Sequence, residues 1–338
     1  MQLKVETKRL TLKTKWTIAR GSSDYKDNVF VTLEHDGITG TGEAAPNTRY
    51  KESAGETTKR LNEIRPLIES ANPLHYSNLI GKVRQAFEGQ SCAKAAFDIA
   101  LHDWVGKKWG IPLYALWGLD PRNAPLSSYS IGIDEPEKMA ALAAANAAMP
   151  VFKIKLGSKD DRAIIEAIRR VTDKPIRVDA NEGWTDRQQA LNEVKWLADR
   201  GVEFVEQPMP EAQHEDMVWL KQHSPLPLIA DESVHVAADI PRLSEAFDGI
   251  NIKLMKSEGL LEALGMIRMA RAMGLKVMLG CMVESSIAIS AAAHLAPLTD
   301  YIDLDGALLL ADDPARGVEN RNGKLFFNEQ PGLGAALK

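Results

Sequence analysis

Two cysteines in 338 residues are too few for a disulfide framework, and Cys92 and Cys281 have no metal-ligand partners in sequence that would make a zinc site. That scarcity fits a reducing, cytoplasmic setting. The seven histidines show no metal-ligand spacing. No apolar run reaches the length of a membrane span, since the Ala-rich stretch 139–149 is interrupted by Asn146 and stopped by Pro150. Residues 1–12 alternate strand-like and polar positions and lack the apolar core of a secretory signal. Charge of one sign is lacking too. With 41 Lys and Arg against 46 Asp and Glu, the net charge of −5 gives no electrostatic case for nucleic acid or an anionic membrane as partner. What these absences leave is an ordinary globular composition, 45% apolar, in a chain long enough for one barrel of roughly 200–250 residues and a smaller domain.

The most informative stretch runs from Phe152 to Lys256, where short apolar runs recur and each ends in charge. The endings are Lys153-Ile154-Lys155, Val178-Asp179, Val205-Glu206, Ala230-Asp231-Glu232 and Ile252-Lys253. Runs of four to six β-branched and apolar residues are the mark of strands buried on both faces, as in parallel sheets. The charges then sit where the chain leaves the sheet. Spacings of 27, 25 and 22 residues, from Asp179 to Glu206, Asp231 and Lys253, match one strand, one helix and two loops. Residues 161–171 and 186–198 carry apolar residues at helical spacing between the runs. Repeated βα units of this length close into a (β/α) barrel with its active site at the C-terminal strand ends.

The front third reads differently. Residues 2–12 and 28–44 read as antiparallel strands with Asp36-Gly37 as a hairpin turn, 13–27 and 43–53 as mobile polar loops, and about 55–70, 74–88 and 91–108 as helices. This α+β order sets a boundary near Asn123. The expected organisation is an N-terminal α+β capping domain over 1–123, a modified TIM barrel over 124–316, and a C-terminal segment, 317–338, returning to the capping domain.

Asp179, Glu206 and Asp231, with no histidine or cysteine beside them, suggest a hard, oxygen-preferring cation, and Mg²⁺ suits such a set. Any one of these acids alone would be read as a helix cap or salt-bridge partner. Three at successive strand ends are harder to explain so. Lys153 and Lys155, two apart on a strand, face the same side. Their mutual repulsion is expected to lower the pKa of at least one and free an amine as a base. Lys253 approaches from another side of the mouth.

Taken together, Lys153-Ile154-Lys155, Asp179-Ala180-Asn181, Glu206-Gln207-Pro208, Ala230-Asp231-Glu232-Ser233 and Asn251-Ile252-Lys253-Leu254-Met255-Lys256 resemble the muconate-lactonizing branch of the enolase superfamily. The resemblance covers nearly the whole chain, including the 96–110 helix and Pro331-Gly332-Leu333-Gly334. Through Leu279-Gly280-Cys281-Met282, 288–292 and Asp303-Leu304-Asp305-Gly306 it is most similar to dipeptide epimerases of the L-Ala-D/L-Glu type.

The resemblance implies one Mg²⁺ on Asp179, Glu206 and Asp231, with Lys155 and Lys253 as acid/base groups on opposite faces of the substrate α-carbon. Lys153 would tune Lys155, and Asn181 and Glu232 would support the metal ligands. Asp303 and Asp305, the latter as the direct contact, would receive the ammonium of a small-molecule dipeptide. Arg20 would meet a side-chain carboxylate, with Arg49 and Lys26 as lesser candidates. A homo-oligomer is compatible with this reading. A muconate cycloisomerase, or an o-succinylbenzoate synthase with N-acylamino acid racemase activity, would keep the same acids and lysines. Asp303 and Asp305 argue against those relatives, whose substrates carry no ammonium. A Schiff-base aldolase would need no acidic triad. A silent, ligand-binding barrel would have no use for a complete set of reactive positions.

Overall fold

The computed structural model describes all of residues 1–338. An antiparallel sheet opens the chain: β1 (Gln2–Ile18), β2 (Gly21–His35) and β3 (Ile38–Ala44) pair in that order. The helices α1 (Ala54–Glu63), α2 (Arg65–Glu69), α3 (Tyr76–Ala86), α4 (Ser91–Trp109) and α5 (Leu113–Leu116) follow. The expected helix over 55–70 is split because Pro66 in the first turn of α2 has no N–H to extend the ladder from α1.

Of the two expected loops, one takes another form and the other stays irregular past the end of β3. Residues 13–27 are not a loop. β1 and β2 run on as a hairpin to a turn at Ala19-Arg20, with a register shift between Thr11 and Trp16. The arms look loop-like in sequence because they extend past the sheet's buried face and are mostly polar. Residues 43–53 contain a single 3₁₀ turn, Thr48–Tyr50, in which the Asn47 side chain accepts the Arg49 N–H.

Helix α4 is buried from Cys92 to Gly106, so it is apolar nearly all round rather than striped. It lies flat on β3, and glycine permits the approach: a Cβ at Gly40 would stand 2.1 Å from the Ala100 carbonyl oxygen, and one at Gly42 2.0 Å from that of Ala96.

Then strands and helices alternate: β4 (Tyr129–Ile131), α6 (Pro136–Ala145), β5 (Phe152–Lys155), α7 (Asp161–Arg169), β6 (Ile176–Asp179), α8 (Arg187–Ala198), β7 (Val202–Glu206), α9 (His214–His223) and β8 (Leu228–Ala230). Next come α10 (Ile240–Leu243), β9 (Gly249–Lys253), α11 (Leu260–Ala272), β10 (Lys276–Gly280), α12 (Ser286–Ala293) and β11 (Tyr301–Ile302). The eight strands β4 to β11 are parallel and pair in sequence order. A parallel bridge between Ser127 and Ile302, with the Ser128 N–H donating to the Ile302 carbonyl at 3.2 Å, brings the first strand beside the last. The sheet therefore closes, and the (β/α) barrel with a capping α+β region expected from sequence is what the chain forms.

The cap is tied to the barrel by buried side chains. Asp98 of α4 accepts the N–H groups of Leu260 and Leu261, so a residue of the cap closes the N-terminus of the helix that follows β9. Glu43 at the end of β3 accepts from Ser285 and the Ala288 N–H at the start of α12. Near the C-terminus, the Leu333 N–H donates to Asp103, and Leu113 and Ile111 exchange backbone hydrogen bonds with Gly332.

Candidate active site

Strand parity decides which charges meet. Alternate residues face one side of a strand, so Phe204 and Glu206, Ile229 and Asp231, Met278 and Gly280, and Tyr301 and Asp303 share the inward face. Phe204, Ile229 and Met278 pack into a small apolar floor against Tyr301. One step toward the C-terminal mouth, the same face turns acidic.

One carboxylate oxygen from each of Asp179, Glu206 and Asp231 lies within 4.8 Å of the other two, and all three residues are buried. Glu206 Oε2 has no hydrogen-bond partner; Lys153 Nζ stands 2.7 Å away as an ion pair without hydrogen-bond alignment. Three convergent hard oxygen donors, one of them orphaned, with no imidazole or thiolate in the set, fit a divalent cation of the Mg²⁺ kind.

The lysines stand around this triad. Lys155 Nζ is 2.5 Å from Asp179 Oδ2, and Lys253 Nζ is 2.6 Å from Asp231 Oδ2. Their strands, β5 and β9, are four apart in a ring of eight, so the two ammonium groups approach from opposite walls. Lys153 reaches Glu206, Asp303 at 2.8 Å and Asp179 at 3.4 Å. The expected lowering of a lysine pKa by its lysine neighbour is not what this arrangement gives for Lys153. Burial pulls its pKa down, but Asp303, Glu206 and Asp179 outweigh it and raise the value well above the ordinary one. Lys253 is likewise raised, burial being outweighed by Asp231 and Glu206. Acids from other strands, not the second lysine, dominate.

Asp303 prolongs β11, its N–H continuing the ladder to the Leu279 carbonyl at 2.9 Å, and Asp305 follows at the start of a 3₁₀ turn over Gly306–Leu309. Ser130 on β4 holds both: its hydroxyl donates to Asp303 Oδ1 at 2.9 Å and its N–H to Asp305 Oδ2 at 2.6 Å. Burial and the adjacent Asp303 charge push Asp305 up to about 7, whereas at Asp303 burial is outweighed by Lys153, Lys155 and the Ser130 hydroxyl together, which hold it below the carboxylate range. Asn181 donates its N–H to Asp179 and its side-chain amide to Glu232 at 3.2 Å. Asn181 and Glu182 are both left-handed, with φ of 46° and 66°. That bend turns the loop up toward the cap.

Arg20, at the hairpin tip, crosses the mouth to meet that loop. It donates to the Asn181 carbonyl at 3.0 Å and pairs with Glu232 at 2.6 Å and Glu182 at 3.3 Å. Arg49 grips both oxygens of Glu182 at 3.0 and 3.1 Å. The hairpin thus roofs a pocket with about 860 Å³ of space that no protein atom fills, its open mouth included. Lys153, Lys155, Lys253, Asp231, Asp303 and Asp305 line its floor, and Trp16, Ile18, Arg20, Lys26 and Tyr50 its roof.

The chain matches two family models, "Mandelate racemase / muconate lactonizing enzyme, N-terminal domain" over residues 2–118 and "Enolase C-terminal domain-like" over residues 137–338. The chain belongs to this family. Among curated relatives it is 43% identical over 326 residues to an L-Ala-D/L-Glu epimerase of Bacteroides thetaiotaomicron, an alignment that covers 96% of this chain and 85% of that one. Two solved dipeptide epimerases superpose over almost the full length. One, from Enterococcus faecalis with Mg and L-Leu-L-Tyr, has a TM-score of 0.94, 33% identity and 99% coverage of both chains. The other, from Cytophaga hutchinsonii with Mg and D-Ala-L-Val, has a TM-score of 0.96 and 30% identity, covering 100% of this chain and 96% of that one.

In this family member the structure also brings in residues that sequence reasoning left without a role. Asn251, inward-facing two residues before Lys253, donates to Glu206 Oε1 at 2.8 Å. It has room because Gly280 is opposite, where a Cβ would stand 2.7 Å from Asn251 Oδ1. Gln207 accepts the N–H groups of Asp231 and Ser233 and so fixes the β7 and β8 loops to each other. Lys256 is buried, pairs with Asp231 Oδ1 at 2.5 Å and also donates to the Asp231 carbonyl; burial lowers its pKa. Parity could have flagged Asn251. Lys256 lies beyond the strand, so no periodicity points to it.

Proposed function

We propose that the protein epimerises dipeptides at the α-carbon of the second residue, by removal of the α-proton on one face and its return on the other. The observation that carries this reading is the placement of Lys155 and Lys253 on opposite walls of one pocket, with an acidic triad between them. Asp179, Glu206 and Asp231 would hold Mg²⁺, and the bound ion would supply positive charge to stabilise the carboxylate of the substrate on loss of its α-proton. Lys155 and Lys253, each on an acid of the triad, hold the proton that is taken from one face of the α-carbon and returned to the other. Lys153 balances the remaining acid charge. Asn181 and Glu232 hold the ligand loops, and Ser130 holds Asp303 and Asp305 toward the substrate ammonium.

A buried Asp305 that has hydrogen bonds from Ser130 but no cation beside it explains why a dipeptide suits the pocket better than the substrates of lactonizing relatives. An ammonium group at Asp305 would pair a carboxyl that burial and Asp303 otherwise keep near neutrality. The Bacteroides relative's name suggests an L-Ala-L-Glu type of substrate and, with it, cell-wall peptide metabolism in the cytoplasm. No helix is long and apolar enough to cross a membrane.

The test is α-proton exchange in D₂O with Mg²⁺ and a mixed dipeptide library, followed by mass spectrometry. Wild-type protein should label both epimers of its substrates. With Lys253→Ala, exchange should persist only for the epimer whose α-proton faces Lys155, and epimerisation should fall by about 10³-fold or more. Label in neither epimer for any dipeptide with the wild type would remove the proposed reaction; undiminished epimerisation by the variant would remove Lys253 from it.

A further inference from the structure

Five cations line the pocket, and four of them are already matched. Lys153, Lys155 and Lys253 each sit on an acid of the floor. Arg20 is spent on Glu232, Glu182 and the Asn181 carbonyl, so its charge is cancelled inside the protein before any substrate arrives. Lys26 alone has neither a salt bridge nor a hydrogen bond, although it is half-buried in the wall.

Strand geometry explains why it faces inward without a partner. Lys26 and Asn28 are two apart on β2 and share a face, and Asn28 is buried against the barrel, donating to Glu43 and to the Val283 carbonyl after β10. Asp27 between them points the other way, where Arg9 grips both of its oxygens at 2.8 and 3.0 Å. The nearest acid in sequence is therefore turned to the opposite face. Burial alone acts on the Lys26 ammonium and lowers its pKa, with no anion contributing. An unpaired ammonium in a partly dry wall is costly to maintain and gains most from an incoming anion.

We propose that Lys26, rather than Arg20, is the residue by which the pocket recognises a carboxylate carried on a side chain of the dipeptide. Arg20 then serves as a positioning residue that fastens the hairpin, and Lys26, on the same hairpin, is the charge it brings over the substrate. This inference rests on the dipeptide reading above and narrows it to acidic dipeptides.

The experiment compares kcat/KM for charged and neutral isosteres, L-Ala-L-Glu against L-Ala-L-Gln and L-Glu-L-Ala against L-Gln-L-Ala, in the Mg²⁺-loaded wild type and in Lys26→Met, Lys26→Arg and Arg20→Met. The preference for the acidic member of one pair should fall by about 10- to 100-fold in Lys26→Met, mostly through KM, and recover in Lys26→Arg. The pair that moves tells which residue of the dipeptide carries the carboxylate. In Arg20→Met both members should weaken together, because the roof loosens. Because each ratio is taken within one variant, partial misfolding cancels. A ratio insensitive to Lys26, or one that collapses in Arg20→Met instead, overturns the assignment while leaving the epimerase reading intact. A wild type inactive on every dipeptide overturns both.

Discussion

Two residues along each strand separate a mainly apolar layer of the barrel from a heavily charged one. Phe204, Ile229, Met278 and Tyr301 make an apolar floor that only the Arg177 guanidinium, over the Phe204 and Tyr301 rings, interrupts; Glu206, Asp231, Gly280 and Asp303, next on the same faces, belong to the mouth. The floor follows the usual rule that buried apolar area stabilises, at about 1.5–3 kcal/mol for a side chain of that size. The mouth inverts it. Six buried acids, Asp179, Glu206, Asp231, Glu232, Asp303 and Asp305, face six cations, Arg20, Lys26, Lys153, Lys155, Lys253 and Lys256. So much charge in so little water is poor for stability and right for a site that takes a divalent cation and an ammonium group. One layer holds the barrel together, and the other is held by it.

The sharpest way to break this contrast is Glu206→Gln. Mg²⁺-dependent α-proton exchange should drop by roughly 10³-fold, since a ligand is lost where charge develops. The metal-free protein should nevertheless gain stability. Burial first, then Asp179, raises the Glu206 carboxyl to about 7, so the penalty for ionising it in the fold is fully present above that pH and disappears below the unfolded value. At pH 8 the variant should therefore be more stable by about 1–3 kcal/mol, and near pH 4.5 the two should match. Thermal melts of chelator-treated protein at both pH values check it; a destabilised variant at pH 8 would mean that the mouth is built for stability after all. The opposite sign belongs to the floor. Phe204→Ala should cost about 3–5 kcal/mol in denaturant titrations, yet leave the Mg²⁺-induced rise in melting temperature at a fixed margin. Loss of that margin would show that floor and mouth are one unit.

Much of this contrast was readable from the residues themselves. Strands buried on both faces leave only their ends for charge, so Lys155, Asp179, Glu206, Asp231 and Lys253 stood out at βα spacing, and parity placed Lys153 beside Lys155. Three things were not readable. The hairpin arms over 13–27 span the mouth rather than a core, so apart from Trp16 and Ile18, which face the pocket, they are mostly polar and lack the long alternation that marks a strand. The raised pKa of Lys153 depends on acids of β7 and β11, far away in sequence. Lys256 and Lys26 owe their interest to whether a partner is present, which only three dimensions reveal. The bound state of Arg20 belongs with these, since Glu182 and Glu232 reach it from loops more than 160 residues away.

A buried polar group of a third kind sharpens the contrast with the smallest effect. His294, at the end of α12, is neutral and fully satisfied: Nδ1 accepts the Tyr114 N–H at 3.2 Å, which leaves Nε2–H to donate to the Leu333 carbonyl at 3.1 Å. Protonation would set a second N–H against that of Tyr114, and burial alone already lowers the pKa to about 4. The unfolded chain takes up this proton near pH 6.5, the fold only near 4. Stability from His294 is therefore complete above 6.5 and is lost as pH falls through that window, by up to about 1.4 kcal/mol per pH unit. His294→Gln keeps a donor for Leu333 and cannot titrate, so its stability should fall less steeply between pH 6.5 and 4.5 by that amount. Equal slopes in urea titrations would show that the site gives way locally, freeing the imidazole from Tyr114 before the rest of the barrel unfolds.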